Sequence, residues 1–233
     1  MENFFDKYIH SIERIEPIKY TGSVIGVKGL MIESKGPRSV IGEICTIHIP
    51  SIQSSVLAEV VGLEGSSVRL MAYGETKGIE VGCEVVASGH VLEVPVGPSL
   101  LGRVIDATGK PYDGKGEIFP EAYYPALASP PNPMERKPID KRIVTGVRAI
   151  DGILTVGKGQ RLGIFAGSGV GKSTLLSMIA RNTNADINVI GLIGERGREV
   201  MDFIKRDLGE EGLKRSVLVV ATSDQPSISR LRA

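Results

Sequence analysis

The spacing of apolar residues changes character along the chain. In MENFFDKYIHSIERI, Phe4, Tyr8, Ile12 and Ile15, with Phe5 and Ile9 beside them, recur every three or four positions while charged residues take the other side. This predicts an amphipathic helix that stops at Pro17. Such a face suits packing on its own domain as well as docking on a partner or a membrane surface, and the residues leave both open. From about residue 20 to 94 the pattern shortens to β-branched runs broken by glycine: GSVIGVKGLMIE, GEICTIHI, SSVLAEVVGLEG, SSVRLMAY and CEVVASG. Turn signals this close together predict a small all-β barrel. None of these runs gathers an acid, base or nucleophile, which favours a structural or assembly role.

Between 120 and 138 the sequence PEAYYPALASPPNPMERKP holds six of the chain's 13 prolines. That density excludes a regular helix or a central strand and predicts an extended crossing segment. Beyond it the pattern becomes α/β. RLGIF (161–165) is an apolar run suited to a buried parallel strand, and KSTLLSMIARN (172–182) carries Leu175, Leu176 and Ile179 at helical spacing. INVIGLIGERGREV (187–200) and SVLVVATS (216–223) read as further strands, with a helix over REVMDFIKRDL.

The residues joining the first of these strands to its helix are FAGSGVGKST (165–174). Gly167, Gly169 and Gly171 permit backbone angles closed to other residues, so that successive N–H groups can turn inward around an anion. Lys172 is placed to reach the terminal phosphates of a nucleotide and the Ser173 hydroxyl to complete a Mg²⁺ shell. The strict phosphate-loop pattern has glycine where this chain has Ala166, the next smallest residue. The nucleotide-binding stretch is therefore expected to be Ala166, Gly167, Ser168, Gly169, Val170, Gly171, Lys172, Ser173 and Thr174. Strand, glycine loop and helix start come in the order that phosphate binding requires.

Composition narrows the classes. The 233 residues, 42% of them hydrophobic, can bury a substantial core. Lysine and arginine total 28 against 27 aspartate and glutamate, a formal net charge of +1 that points to no nucleic-acid partner. Cys45 and Cys83 lack a paired spacing, and His10, His48 and His90 stand apart, so neither a disulfide framework nor a metal site is implied. A reducing cytoplasm fits that usage. No apolar run reaches the length of a membrane span, and the first residues lack the pattern of a secretion signal.

Glu195 ends the run INVIGLIGE, followed by Arg196, Gly197 and Arg198. In a parallel sheet, residues just past the carboxyl ends of strands converge on one edge, the edge that also carries the phosphate loop. Glu195 there could polarise an attacking water. Equally, Glu195 and Arg196 could form a surface ion pair or cap the following helix.

Three stretches carry a resemblance: TGVRAIDGILTVGKGQRLGIFAGSGVGKST, IGERGREV and VVATSDQP. Together they resemble the ATPases of flagellar protein export, themselves similar to injectisome type III secretion ATPases and to the catalytic subunit of rotary ATP synthases. The resemblance extends over GLMIESKGPRSVIGE and SLLGRVIDATGKPYDG to essentially the whole chain. It implies an N-terminal helix (1–19), a β-barrel (20–94) and a RecA-like phosphate-loop domain (95–233). It implies ATP and Mg²⁺ at Ala166 to Ser173, Glu195 as the catalytic carboxylate, and Arg196 beside it. It also implies a homo-hexameric ring at the inner face of the cell membrane, with a stator-like regulator on the N-terminal helix, a central stalk protein, the membrane export gate, and export substrates with chaperones.

Members of that family carry a later carboxylate, an arginine supplied across the subunit interface and an adenine-contacting helical domain, and the chain stops at PSISRLRA before all three. A chain cut within its nucleotide-binding domain is the expectation. Asp224 imitates the later carboxylate, but ATSDQP matches an earlier strand end, so a structural or interface role is expected for it. Two readings of other classes are an RNA-translocating hexameric ATPase and a non-hydrolysing rotary subunit. The first is opposed by the scarcity of aromatic and basic residues interleaved in 20–94, the second by Glu195.

Overall fold

The computed structural model describes residues 18–167 and 169–233, and the chain divides into two compact units between Leu92 and Glu93. The amphipathic helix expected at the N-terminus lies outside the described residues, as does Ser168.

In the first unit the glycine-punctuated runs form six antiparallel strands: β1 (Thr21–Lys28), β2 (Met31–Lys35), β3 (Glu43–Ile49), β4 (Ser54–Glu64), β5 (Ser67–Ala72) and β6 (Glu84–Val91). They close into a barrel in the order β1-β2-β5-β4-β3-β6, sealed where Thr21, Gly22 and Ser23 pair with Val86, Val85 and Glu84. Alternation along each strand sends Val24, Ile32, Cys45, Ile47, Val60, Leu70 and Val85 into the core. A Cβ at Gly22 would strike the backbone of Gly36 and Pro37, so only glycine lets these segments cross there. Burial, reinforced by Glu43, pushes the Cys45 thiol up to about 12, so it stays protonated and behaves as packing. The buried acids are satisfied locally. Glu43 accepts the N–H groups of Val40 and Gly89, each at 2.9 Å, and Glu59 accepts the Tyr73 hydroxyl at 2.5 Å.

The second unit opens with β7 (Glu93–Val96), which pairs antiparallel with β9 (Ala122–Pro125), and between them lies β8 (Val104–Asp106). Proline confines β9 to this exposed two-stranded ribbon. β10 (Arg142–Ile143) and β11 (Val156–Gly157) form a second short ribbon. The remaining elements are α1 (Lys172–Asn182), β12 (Asn188–Ile193), α2 (Gly197–Asp202), a π-helical stretch over Phe203–Leu208, α3 (Gly209–Lys214), β13 (Ser216–Ala221) and α4 (Ser227–Arg232). The sheet is parallel in the order β12-β13-β8, with β13 central. Ile190 and Leu192 of β12 and Leu218 and Val220 of β13 meet Ala180, Val200, Phe203 and Leu208 from the helices. The fold is therefore α/β, a small all-β barrel followed by a parallel-sheet unit with flanking helices.

Two expectations are corrected. Arg161–Phe165 is not a buried strand: it takes no strand pairing, and Leu162 is 47% and Phe165 96% exposed. An apolar run becomes a central strand only where neighbours accept its backbone bonds, and the described sheet offers this one none. The buried face of α1 is also displaced, with Ser177 and Ala180 inward and Leu176 39% exposed, because the small side chains are the ones that let the helix approach the sheet.

The turn after β8 is held by charge. Arg103 grips Asp113 through Nε at 2.8 Å and Nη2 at 3.0 Å, and the same carboxylate accepts the N–H groups of Val104 and Lys115. Burial alone would raise the Asp113 carboxyl, but the guanidinium and the two N–H groups outweigh it and hold it well below the usual carboxylate range. Asp113→Ala leaves the guanidinium without its counter-charge and is expected to cost roughly 3 kcal/mol, the low end for a broken buried pair because the covering turn is itself exposed. The folded carboxyl titrates below the ~3.9 of an unfolded aspartate, so its stabilisation is full above that value and disappears only as pH falls through the depressed one. Urea unfolding followed in the second unit should give a steady gap between parent and variant from neutral pH to about pH 4.5, narrowing below it. Coincident midpoints at neutral pH would remove this role from the pair.

Candidate functional site

The glycine loop runs into α1 as a left-handed turn, with φ of 78° at Gly169 and 95° at Gly171, the residue that starts the helix. Any side chain at either position would be strained, while a Cβ at Gly167, Gly169 or Gly171 would face open space. The first helical bond runs from the N–H of Leu175 to the carbonyl of Gly171 at 2.9 Å. The N–H groups of Lys172, Ser173 and Thr174 therefore have no partner within the helix, and no acidic side chain sits in its first turn. Free N–H groups at the positive end of a helix dipole favour an anion.

The other end of α1 is anchored by the segment that leads into the loop. Asp151 accepts the N–H and the hydroxyl of Thr145 and the N–H of Gly146, each at 2.8 Å. Those bonds, led by the Thr145 N–H, hold its carboxyl below the ordinary value. Asn184 and Thr183 then close on Val144 at 2.9 Å, and Gly146 lies against Asn182. The segment TGVRAIDG and the Val144 before it thus brace the end of the phosphate helix.

A cavity of about 700 Å³ opens in front of α1. Gly167, Gly169, Gly171, Lys172, Ser173, Thr174 and Glu195 all line it. Glu195 follows β12 and is half-buried. Among the described residues its carboxylate takes no ion pair or side-chain hydrogen bond, and neither does the Lys172 ammonium. Arg196 pairs with Glu199, its guanidinium 3.7 Å from that carboxylate, and its backbone caps α2. The structure therefore brings the loop glycines, Lys172, Ser173, Thr174 and Glu195 onto one cavity, and leaves Ala166, Val170 and Arg196 off its lining. Asp224 is also off the lining and accepts the Thr222 hydroxyl, which holds its carboxyl below the ordinary value.

Sequence reasoning missed three acids on the same wall: Glu199, Asp202 and Asp207. Glu199 and Asp202 stand three residues apart on α2, a spacing that puts their carboxylates on one helix face. Among the described lining residues Lys172 is the one cation against these four carboxylates.

Models of two domains match the chain, the beta-barrel domain of the ATP synthase alpha/beta family over residues 24–89 and that family's nucleotide-binding domain over residues 146–233. The chain belongs to the ATP synthase alpha/beta family. Within that family it is 59% identical to the flagellum-specific ATP synthase of Treponema pallidum, over 97% of this chain and 51% of the relative. It is 56% identical to the protein of the same name in Bacillus subtilis, over 97% and 52%. Among solved family structures, the assembled ATPase EscN of the enteropathogenic E. coli type III secretion system superposes with a TM-score of 0.81 at 42% identity, over 91% of this chain and 50% of EscN. EscN with its central stalk EscO gives the same TM-score. The chain spans about half the length of the relatives it matches.

Proposed function

We propose that this chain supplies the barrel and the phosphate-binding core of an ATPase that drives flagellar protein export. The observation that carries the reading is that one cavity is lined by Lys172, the first turn of α1 and Glu195, and that among the described residues neither charged group has a partner. Kinship supports the flagellar system: two relatives named flagellum-specific ATP synthase are 59% and 56% identical to this chain over the aligned half of their length, whereas a type 3 secretion system ATPase reaches 48%. The injectisome is the second reading, supported by the TM-score of 0.81 to EscN.

Lys172 and the N–H groups of Lys172, Ser173 and Thr174 bind the terminal phosphates of ATP, with the glycine loop around them. The open space at the loop glycines and the hydroxyl of Ser173 on the cavity wall suit a nucleotide with Mg²⁺. Bound Mg²⁺ supplies positive charge to the terminal phosphates, and Ser173 is the residue to hold it. Glu195 orients a water so that its oxygen bonds to the terminal phosphorus as the bond to the bridging oxygen breaks, and accepts the water's proton. Arg196 holds Glu199 away from the attacking water and neutralises part of the wall. We further propose a homo-hexameric ring around a central stalk protein, as the assembled EscN and its EscO complex suggest for a relative. In that ring a stator-like regulator, the export gate, and substrates with chaperones complete the apparatus at the cytoplasmic face of the membrane. No helix among the described residues is long and apolar enough to cross a membrane, so attachment is peripheral in this reading.

In the intact protein Lys172→Ala should weaken ATP binding at least about tenfold in a fluorescent-nucleotide titration, since it removes the one cation of the wall. Unaltered affinity would sink the phosphate assignment. Glu195→Gln should keep nucleotide affinity and lower phosphate release about 10²-fold or more; preserved turnover would return Glu195 to a structural part. RNA-stimulated turnover would instead favour a nucleic-acid translocase.

The acids also set a cation requirement. Arg196 and Arg206 answer Glu199 and Asp202, but Glu195 and Asp207 still outnumber Lys172, so chelating divalent cations with EDTA should reduce ATP affinity about tenfold or more. Raising salt should partly restore it by screening. Equal binding with and without Mg²⁺ would show that the acids stand too far from the phosphates to matter.

A further inference from the structure

The phosphate loop has a weak flank and a strong one. Upstream, residues 161–165 take no strand pairing, so the described sheet does not hold the chain that enters the loop. Downstream, α1 buries Ser177 and Ala180, side chains too small to interlock deeply with the sheet. The N–H groups of its first turn are therefore only as well placed as the helix itself. An 11-residue helix is about 16 Å long, and a tilt of about 4° at its far end moves the first turn by about 1 Å.

That far end is clasped to the chain that leads toward the loop. Val144 donates its N–H to the Asn184 side-chain oxygen at 2.9 Å, and its carbonyl accepts the Asn184 N–H at 3.0 Å and the Thr183 hydroxyl at 2.9 Å. Gly146 passes so close to Asn182 that a Cβ there would lie 2.2 Å from the Asn182 Cβ, and its φ of 77° favours glycine as well. Asp151 locks this crossing. One carboxylate oxygen accepts the N–H and the hydroxyl of Thr145 and the other the N–H of Gly146, each at 2.8 Å. Thr145 is buried, and its hydroxyl accepts the Val147 N–H at 3.2 Å. The chain from 146 to 182, phosphate loop included, is thus closed on itself at this crossing. Asn188 and Arg215 bond the carbonyls of Ala180, Thr183 and Ala185 at the same helix end, so α1 keeps its hold on the sheet without Asp151.

We propose that Asp151 is a positioning residue for the phosphate cradle, holding the first turn of α1 in place for the terminal phosphates without touching them. The inference rests on the reading of Lys172 and the α1 N–H groups as the phosphate site. Asp151 lies off the cavity lining, so its removal takes no group from that site. What it supplies is preorganisation. In an unclasped protein the phosphates must first seat the helix, and that cost enters affinity and not the chemical step. A cradle in place about one time in ten binds about tenfold more weakly.

The test is nucleotide titration and steady-state hydrolysis by the intact protein. Asp151→Ala is expected to weaken ATP binding and raise KM about tenfold, while kcat at saturating ATP changes by less than about twofold. Thr145→Val exchanges the hydroxyl for a methyl group and should raise KM to a smaller extent, whereas Thr145→Ser should keep the parental value. Gly146→Ala wedges the crossing apart from the other side and should match Asp151→Ala, and the pair should be no worse than either alone, because both open one clasp. Amide exchange supplies an independent reading. The N–H of Leu175, which bonds the Gly171 carbonyl, should exchange about tenfold faster in nucleotide-free Asp151→Ala, and saturating ATP should remove the difference, while Leu218 and Val220 keep their protection. If Lys172→Ala weakens binding and Asp151→Ala does not, or if Asp151→Ala lowers kcat with KM intact, the positioning role fails alone. If Lys172→Ala leaves affinity unaltered, the phosphate reading fails first and takes the inference with it. Loss of protection at Leu218 and Val220 in Asp151→Ala would make Asp151 a residue of the fold and overturn the inference as well.

Discussion

The second unit depends on the parallel pairing of β12 with β13. Six residues of each strand match in register from Asn188 with Ser216 to Ile193 with Ala221, and Leu218, Val220 and Ala221 are wholly excluded from water. Asn188 fixes the start of that pairing, its amide donating to the carbonyl of Ala180 in α1 at 2.8 Å and to the Ser216 hydroxyl at 3.3 Å. One side chain thus ties the sheet to the end of the phosphate helix, and Arg215 adds bonds to Thr183 and Ala185 at 2.6 and 2.8 Å. A slip of one residue would turn Ile190 and Leu192 outward and carry Glu195 off the cavity together with the buried face of the strand. Placement of the acid is therefore a consequence of core packing.

Charge is treated in opposite ways in the two units. In the barrel, Glu43 and Glu59 are buried and spend their lone pairs on N–H and hydroxyl donors, and Cys45 is kept neutral by burial. These groups fix structure and are closed to chemistry. In the second unit Lys172 and Glu195 are left without partners on a cavity wall, although partners of the opposite sign lie close in sequence. Arg196 and Glu199 answer each other, which keeps the guanidinium from neutralising Glu195. A carboxylate that must orient a water cannot also be held in an ion pair, because its lone pairs would already be taken.

How much of this was legible beforehand follows from how local each signal is. The phosphate loop could be read because its demands, left-handed angles at Gly169 and Gly171 and a cation at the helix start, are met within a few residues. The barrel was readable from period-two runs and glycine turns, although GSVIGVKGLMIE proved to be two strands, β1 and β2. β8 was not legible as a sheet member: it is three residues long and its partner β13 lies more than a hundred residues away. RLGIF failed for the converse reason, since its propensity was correct and its neighbours were not to be found in the described sheet. The acids at 199, 202 and 207 could be seen only once the helix face was known, as their chemistry comes from orientation and not from any motif.

The same wall that makes Glu195 useful makes the cavity inhospitable to a bare nucleotide. Two of the four carboxylates are answered by arginines, Glu199 by Arg196 at 3.7 Å and Asp202 by Arg206 at 3.6 Å, so the excess of negative charge that a nucleotide would meet comes from Glu195 and Asp207 set against Lys172. That repulsion also works in favour of release. In the proposed hydrolysis one polyanion becomes two, and the wall would oppose whichever product carries more uncompensated charge. The acids at 199, 202 and 207 need touch neither the phosphorus nor the water to have this effect. In the proposed mechanism their distance sets only how steeply binding depends on the cation, whereas the position of Glu195, fixed by the last rungs of the β12–β13 ladder, sets whether a water is aimed at the terminal phosphorus.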